Sequence, residues 1–371
     1  MPRIRGEWPK ATPSKAESPS AKSRIPLSAH AKQRGSMPAS DFERLLALIA
    51  RLSEQRIAVL GDFVADEFVS GDILRVSREA PVLILRRRGS EFRAGGGANA
   101  VNNLADLGAH VAAVGLLGDD EAGRSLHEVF RSKGVDCGGI LHPREYATPT
   151  KTRFLAGWAH TAAQQVLRVD REPEQAPAMD VQSRLEENIR KQANSASAVL
   201  ASDYGFGAVT PKIVRSISRK IVTLDSRHAM LDYRDAKITA ATPNEPEIEA
   251  LYHINTGTDN TKLLELGQRA LKEMHMRALL VTRGKHGSVL FERAHAPLPI
   301  AAFGEEDAVD VTGAGDTVIA VFTLALAAGG SFSEAARLAN CAGGIVVMKR
   351  GTATVNRQEL EEAVGSSLRH I

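Results

Sequence analysis

From about residue 197 onward, short apolar runs alternate with stretches of helical character, and this alternation restricts the fold more than any other feature of the chain. "SAVLASDYG", "KIVTLDSRH" and "RALLVTRGKHGSVLF" read as strands, and helical segments follow Thr210 and the "TPNEPEIEALYH" stretch. Strands separated by helices of roughly 10–15 residues form βαβ units and so a mostly parallel sheet covered by helices. The first half joins this pattern. Ser40 with Glu43 makes a capping box that opens a helix to about Ser53, and "RIAVLGD" (Arg56–Asp62) is a strand. "GGGANAVNNLADLGA" is a Gly-rich turn and helix, "HVAAVGLLGDD" a strand and turn, and Glu121–Lys133 a further helix. Near the end, "DAVDV" reads as a strand, followed by a helix from Gly313 to about Ala328. A second helix, with Ser331 and Glu334 as its capping box, runs to about Lys349. Residues 68–92, "TKTRFLAGW" and "QQVLRVD" are β-like and charged. The last two look like further strands.

Charge divides the chain unevenly. The first 36 residues hold five prolines, six serines, eight of the 47 Lys/Arg and two of the 44 Asp/Glu. We expect residues 1–38 to be a disordered basic tail and residues 39–371 the folded domain. Without those 36 residues the chain carries 39 basic and 42 acidic groups, a net charge of −3, which argues against a nucleic-acid face on the folded part. The tail has no apolar core of the secretory kind. The longest apolar run, Val318–Ala328, falls short of the ~20 residues that span a bilayer. Cys137 and Cys341 are far apart and form neither a disulfide framework nor a metal pattern, so a cytoplasmic protein with no membrane partner is expected.

Chemistry concentrates in "DVTGAGDTV". In an open parallel sheet, ligands sit beyond the carboxyl ends of the strands. A helix that begins there presents unpaired N–H groups and the positive end of its dipole to an anion. Gly313, Ala314 and Gly315 are small enough for a phosphoryl group to approach the backbone. A carboxylate beside a phosphate is repulsive, so Asp316 needs another task, and removing a proton from an attacking hydroxyl is one. Amides that hold negative charge next to a base suit phosphoryl transfer. The plainer alternative is an acidic residue that favours the helix dipole. There is no G-x-x-x-x-G-K-[ST], and "GGGANA" lacks the spacing of a dinucleotide fingerprint, so P-loop and nicotinamide chemistry are disfavoured.

Together, "GGGANAVNNLADLGAHVAAVGLLGDD" and "DVTGAGDTV" resemble the two signatures of the ribokinase-like (PfkB-type) carbohydrate kinases, a likeness that runs from about Arg56 to the C-terminus. It implies an α/β fold with a mostly parallel sheet, a lid around residues 67–93 and 150–169, and ATP and Mg²⁺ as cofactors. Asp316 becomes the catalytic base, and Gly313, Ala314 and Gly315 the anion hole. Asn244 and Glu247 of "TPNEPE" would hold Mg²⁺ through waters. Thr282, Gly284 and Gly287 would shape the ATP pocket, with Asn340 and Gly344 near the adenine and Asp225 toward nucleotide or metal water. Plainer alternatives are a helix cap for Asn244 and Glu247, a hairpin turn for Gly287 and a polar strand end for Asp225.

On the sugar side, Asp62, Asp66 and Asn99 would bind hydroxyls, and Gly96 and Gly97 would let the sugar lie on the backbone. "SREAPV", "TPTKTRFLAG", "QQVLRVDRE", "SDYG" and "KRGTATV" are similar to the heptose-phosphate branch of the family, which implies phosphorylation of C1 of a heptose 7-phosphate. Lys151 and Arg153, on one face of a strand, with Arg78 and Arg93, would then meet the phosphate already on the substrate. The pattern departs at Arg78, where that branch has proline, and at Phe206, where it has lysine. Other acceptors (fructose, ribose, a nucleoside) and a catalytically silent sugar-phosphate regulator are the alternatives. The apolar "PVLIL" in the lid suits a homodimer and equally suits core burial.

Overall fold

The computed structural model describes residues 39–158, 163–227, 229–257, 259–304 and 308–369. The expectation for residues 1–38, part of the 150–169 lid segment, and Asp307 lie outside the described residues. The chain opens with α1 (Ala39–Ala50) and β1 (Arg56–Gly61), followed by two long strands, β2 (Phe63–Val76) and β3 (Leu83–Gly96). Then come α2 (Gly97–Asp106), β4 (His110–Leu116), α3 (Glu121–Ser132), β5 (Asp136–Leu141), β6 (Thr150–Gly157) and β7 (Gln164–Arg171). The middle comprises α4 (Met179–Ala193), β8 (Ala198–Asp203), the short α5 (Pro211–Arg215), β9 (Val222–Ser226) and β10 (Ala240–Ala241). It continues through α6 (Glu245–Tyr252), α7 (Asn260–Glu273), β11 (Ala278–Thr282), β12 (Ser288–Glu292) and β13 (Leu298–Ile300). Three helices close the chain: α8 (Ala314–Ala327), α9 (Phe332–Val346) and α10 (Arg357–Arg369).

The main sheet has the order β13-β12-β11-β10-β9-β8-β1-β4-β5. From β11 to β5 every neighbouring pair is parallel, while β12 and β13 are antiparallel additions at one edge. Central strands are buried on both faces, which is why they read as continuous apolar runs. Ile57 and Val59 of β1 face a core shared with α2, α8 and α9, whereas Ala58 and Leu60 face one shared with α4 and α7. The period-two alternation of a strand thus splits a single run between two helical layers.

The order reverses at β1, which pairs with β8 on one side and β4 on the other. The carboxyl ends of β1, β8, β9, β10 and β11 therefore open onto one crevice, the place where such sheets bind ligands. Over it stands the second sheet, β3-β2-β6-β7. Its hairpin pairs from Phe63↔Gly96 out to Val76↔Leu83, with register shifts at Ser70/Gly71 and Ile73/Arg75, and β2 begins buried in the body and ends exposed. β7 is exposed along its whole length.

Three helices were not legible as separate elements: α4, α7 and α10. The expected strand at "DAVDV" is also absent, because residues 308–312 are irregular. Val309 and Asp310 are tied by their N–H groups to the Val347 carbonyl at the end of α9, and no sheet strand is their partner.

Candidate active site

A cavity of about 300 Å³ lies in the crevice beneath the lid. Asp316 reaches it from the first turn of α8, although only 4% of the residue is exposed. Gly313 enters that helix at φ +79°, and a Cβ there would meet the Asn99 amide nitrogen at 2.5 Å. Glycine is thus required twice, for conformation and for close approach. Nothing crowds Gly315, so the backbone at the helix mouth is open to a ligand. Ala314 sits in the same turn but does not line the cavity.

Asp316 accepts a bond from the Tyr204 hydroxyl on Oδ1 at 2.5 Å and one from Asn99 Nδ2 on Oδ2 at 3.2 Å. Burial pushes its pKa up to about 6 against these two bonds, and nearby Asp66 adds to the rise. A carboxylate that titrates close to neutrality is a better proton acceptor than an ordinary one. Asn99 serves Asp316: it is wholly buried, bonds Asp316 and the Gly313 carbonyl, and does not line the cavity. The expectation that it grips the sugar is therefore corrected.

Asp62 requires a second correction. It is fully buried, and Oδ2 accepts the backbone N–H groups of Tyr204 and Phe206 at 2.9 and 3.0 Å. Oδ1 accepts that of Ala208 at 2.9 Å. Burial, then the charge of Asp203, raises its pKa to about 6 against those three amides. It anchors the loop after β8 and presents nothing to the cavity. Gly97 is likewise structural, since a Cβ there would meet Gly61 and Asp62 backbone atoms at 3.0 Å. Gly96 and Asp66 do line the cavity.

The cations divide. Lys151 and Arg153 both line the cavity, as their spacing on one strand face implies, but Arg153 is spent on a buried ion pair with Asp66. Two expected substrate ligands thus hold each other. Burial depresses the Lys151 pKa, helped by the charge of Arg227. Arg78 is exposed in the turn between β2 and β3, away from the cavity. Arg93 donates to the Arg350 carbonyl, pairs with Glu91 and lies over Phe68. Neither joins the cavity lining. Arg168 and Arg227, not singled out from the sequence, take their place there.

Of the residues expected to meet the nucleotide and its metal, Thr282, Asp225, Asn244 and Glu247 line the cavity. Asn244 and Glu247 also form the capping box of α6, each side chain accepting the other's backbone N–H. Gly284, at φ +53°, stands open in a turn beyond the cavity. Gly287 belongs to the hairpin: a Cβ would meet the Ile300 carbonyl oxygen at 2.1 Å. Asn340 donates to the Ala301 carbonyl, and Gly344 packs on Phe303, so both secure the segment after β13 and neither faces the cavity.

Burial raises the Asp225 pKa strongly, and the charges of Asp316 and Glu247 raise it further. Such a concentration of negative charge calls for a cation. Among the described residues no three acidic, His or Cys groups are placed to ligate one directly. That donor set fits Mg²⁺, which keeps several of its waters and takes few protein ligands.

With Arg168, Tyr204 and Arg227 are what sequence reasoning missed, and for the last two a signal existed. The available signal was position, since both directly follow strand ends, in "SDYG" and "LDSR", at the same rim as Asp225. Thr242 and Thr352 also line the cavity, with buried hydroxyls that have no hydrogen-bond partner among the described residues.

A helix mouth that carries a buried carboxylate, at the switch point of a parallel sheet and beneath a β lid, defines a small-molecule kinase. Residues 55–359 match the family described as pfkB family carbohydrate kinase, and the chain belongs to that family. It is 37% identical to the bifunctional protein HldE of Geobacter metallireducens and 36% identical to that of Geobacter sulfurreducens. Each match covers 86% of this chain and 65% of the relative, so the chain spans just under two thirds of their length. Its fold is similar to ribokinase of Arabidopsis thaliana complexed with ribose and ATP, with TM-score 0.64, 22% identity and coverage of 84% of this chain and 98% of that one. Phosphofructokinase-2 of Escherichia coli in complex with fructose-6-phosphate gives TM-score 0.67, 17% identity and coverage of 84% and 98%.

Proposed function

We propose that this carbohydrate kinase transfers the γ-phosphoryl group of ATP to C1 of D-glycero-D-manno-heptose 7-phosphate. The observation that carries the kinase chemistry is Asp316, raised to about 6 and set in the mouth of α8 within a cavity that also holds Asp66. As the sugar oxygen bonds to phosphorus and the bond to the ADP oxygen breaks, the hydroxyl proton passes to Asp316. Open amides at the helix start stabilise charge on the transferred group. Gly313 and Gly315 keep that approach free.

The phosphorylated acceptor is supported by Lys151 and Arg227 on the cavity lining, with Arg168 beside them in an ion pair with Asp170. The resemblance of "SREAPV" and "KRGTATV" to heptose-phosphate kinases narrows it to the heptose. Arg227 supplies the positive charge that Phe206 lacks. Asp225, Glu247 and Asn244 would hold Mg²⁺ through its waters, and the ion, when bound, neutralises charge on the nucleotide phosphates. A lid over the crevice excludes water as a competing acceptor. Exposed Leu74, Val76, Val82, Leu83 and Leu167 on the lid sheet suit a homodimer. We place the protein in the cytoplasm, and no helix among the described residues is long and apolar enough to cross a membrane.

ADP release with heptose 7-phosphate, fructose 6-phosphate, fructose and ribose tests the acceptor. Heptose 7-phosphate should be turned over best, and a preference for an unphosphorylated sugar would overturn the assignment. Asp316→Asn should keep ATP binding and lose turnover by at least ~10²-fold, the low end for a positioned base. A fully active Asn variant would remove Asp316 from the chemistry.

A further inference from the structure

Tyr204 has no part in the reading above, yet it touches the base and two of the cavity's cations at once. Its hydroxyl donates to Asp316 Oδ1 at 2.5 Å. The Arg227 guanidinium lies 4.6 Å and the Lys151 ammonium 5.2 Å from its ring centroid. The loop that carries it is pinned. Asp62 holds the N–H groups of Tyr204, Phe206 and Ala208, and Asp203 holds that of Gly205. Asp203 is itself braced by the hydroxyls of Ser226 and Tyr233, at 2.9 and 2.8 Å. Gly205 and Gly207, at φ +82° and +89°, let the loop turn back on itself. Two buried carboxylates thus fix one tyrosine.

We propose that Tyr204 is a positioning residue with two separable parts, the hydroxyl acting through the base and the ring acting through the cations. This rests on Asp316 being the base. The terminal torsion of an aspartate is broad and about two-fold, so a single hydrogen bond leaves the carboxylate plane free to swing. Here Tyr204 holds Oδ1 and Asn99 holds Oδ2, which fixes the plane. Each oxygen keeps a second lone pair, so the acceptor hydroxyl still finds a site. The ring acts differently. Lys151 and Arg227 repel each other, and each gains from the electron-rich face of the same aromatic. Both heads are thereby held beside one ring at the cavity lining, where an anionic group on the sugar can meet them.

The two parts predict different kinetic signatures. Tyr204→Phe keeps the ring and loses the hydroxyl. With ATP and heptose 7-phosphate, or the best-used sugar phosphate of the panel, its kcat should fall roughly 10- to 100-fold, the order expected of a misplaced reacting group. Its sugar-phosphate KM should stay within about twofold of wild type. Tyr204→Leu removes the ring as well, and should raise that KM by a further ~10-fold while the KM for ATP is unchanged. A merely structural role would lower the melting temperature and the active fraction in both variants without separating kcat from KM. Wild-type kcat in a folded Tyr204→Phe, or equal sugar-phosphate KM in the two variants, overturns the proposal. If Asp316→Asn is inactive while Tyr204→Phe matches wild type, this inference alone fails. If Asp316→Asn is active, the assignment of the base fails first.

Discussion

Neutralising Asp316 should stabilise the protein while, on the proposed mechanism, it abolishes turnover, and the size of the effect on stability follows from burial. Asp316 titrates near 3.8 when solvated and at about 6 in the folded state. A raised folded pKa means that between those two values the native state binds more protons than the unfolded one, so stability falls as pH rises through the window. At ~1.36 kcal/mol per unit, ionised Asp316 costs about 3 kcal/mol above pH 6. Asn resembles the protonated acid in shape and in hydrogen bonding. Asp316→Asn and wild type should therefore be nearly equal below about pH 3, where Asp316 is neutral in both states, and should begin to diverge as pH rises through the solvated value of 3.8. Above about pH 6 the variant should be about 3 kcal/mol more stable. Other titrating groups are common to both proteins and largely cancel in the difference. Asp225 does not cancel fully, because Asp316 raises its pKa, and losing that charge moves the difference further in the same direction. Urea unfolding followed by circular dichroism, at half-unit steps from pH 4.5 to 8, measures the gap. A variant no more stable than wild type at pH 8 would refute the reasoning. So would one more stable by the same margin at every pH, because only titration of the base makes the gain pH-dependent.

Two further substitutions probe the supports of the base. Asp62→Ala leaves three buried amides without an acceptor, which should cost ~3 kcal/mol or more in chemical denaturation. It should also lower kcat, although Asp62 does not reach the cavity, because the Tyr204 loop is released; unchanged kcat and stability would contradict the anchoring role. Gly313→Ala forces a left-handed residue and pushes on Asn99 from 2.5 Å. The backbone change alone costs ~1 kcal/mol, and turnover should fall at least ~10-fold as Asn99 leaves Asp316, whereas wild-type kinetics would show that the contact is dispensable.

What the sequence disclosed and what it concealed separate by the distance over which residues act. That Gly313, Gly315 and Asp316 lie together on the cavity lining was legible because the signal is local: a helix start, a small residue and a carboxylate within one turn. The parallel sheet was legible for the same reason, since each βαβ unit declares itself in its own periodicity. Asp62, Asp66 and Asp225 all follow or end strands and look equivalent as letters. Their roles are decided by partners far along the chain. Asp62 is consumed by amides more than 140 residues away, and Asp66 by Arg153, 87 residues on. Asp225 meets no such partner among the described residues and keeps its place on the cavity wall, under the charges of Asp316 and Glu247. The basic residues follow the same logic. Lys151 and Arg153 were correctly placed on one face by strand alternation, but nothing local says that Arg153 will be taken by a carboxylate. Arg227 comes two residues after Asp225, so its side chain returns to the same rim, and a tyrosine from the neighbouring strand end is there to hold it. A strand-end carboxylate or cation therefore remains available for ligand only where the fold brings it no buried partner of its own.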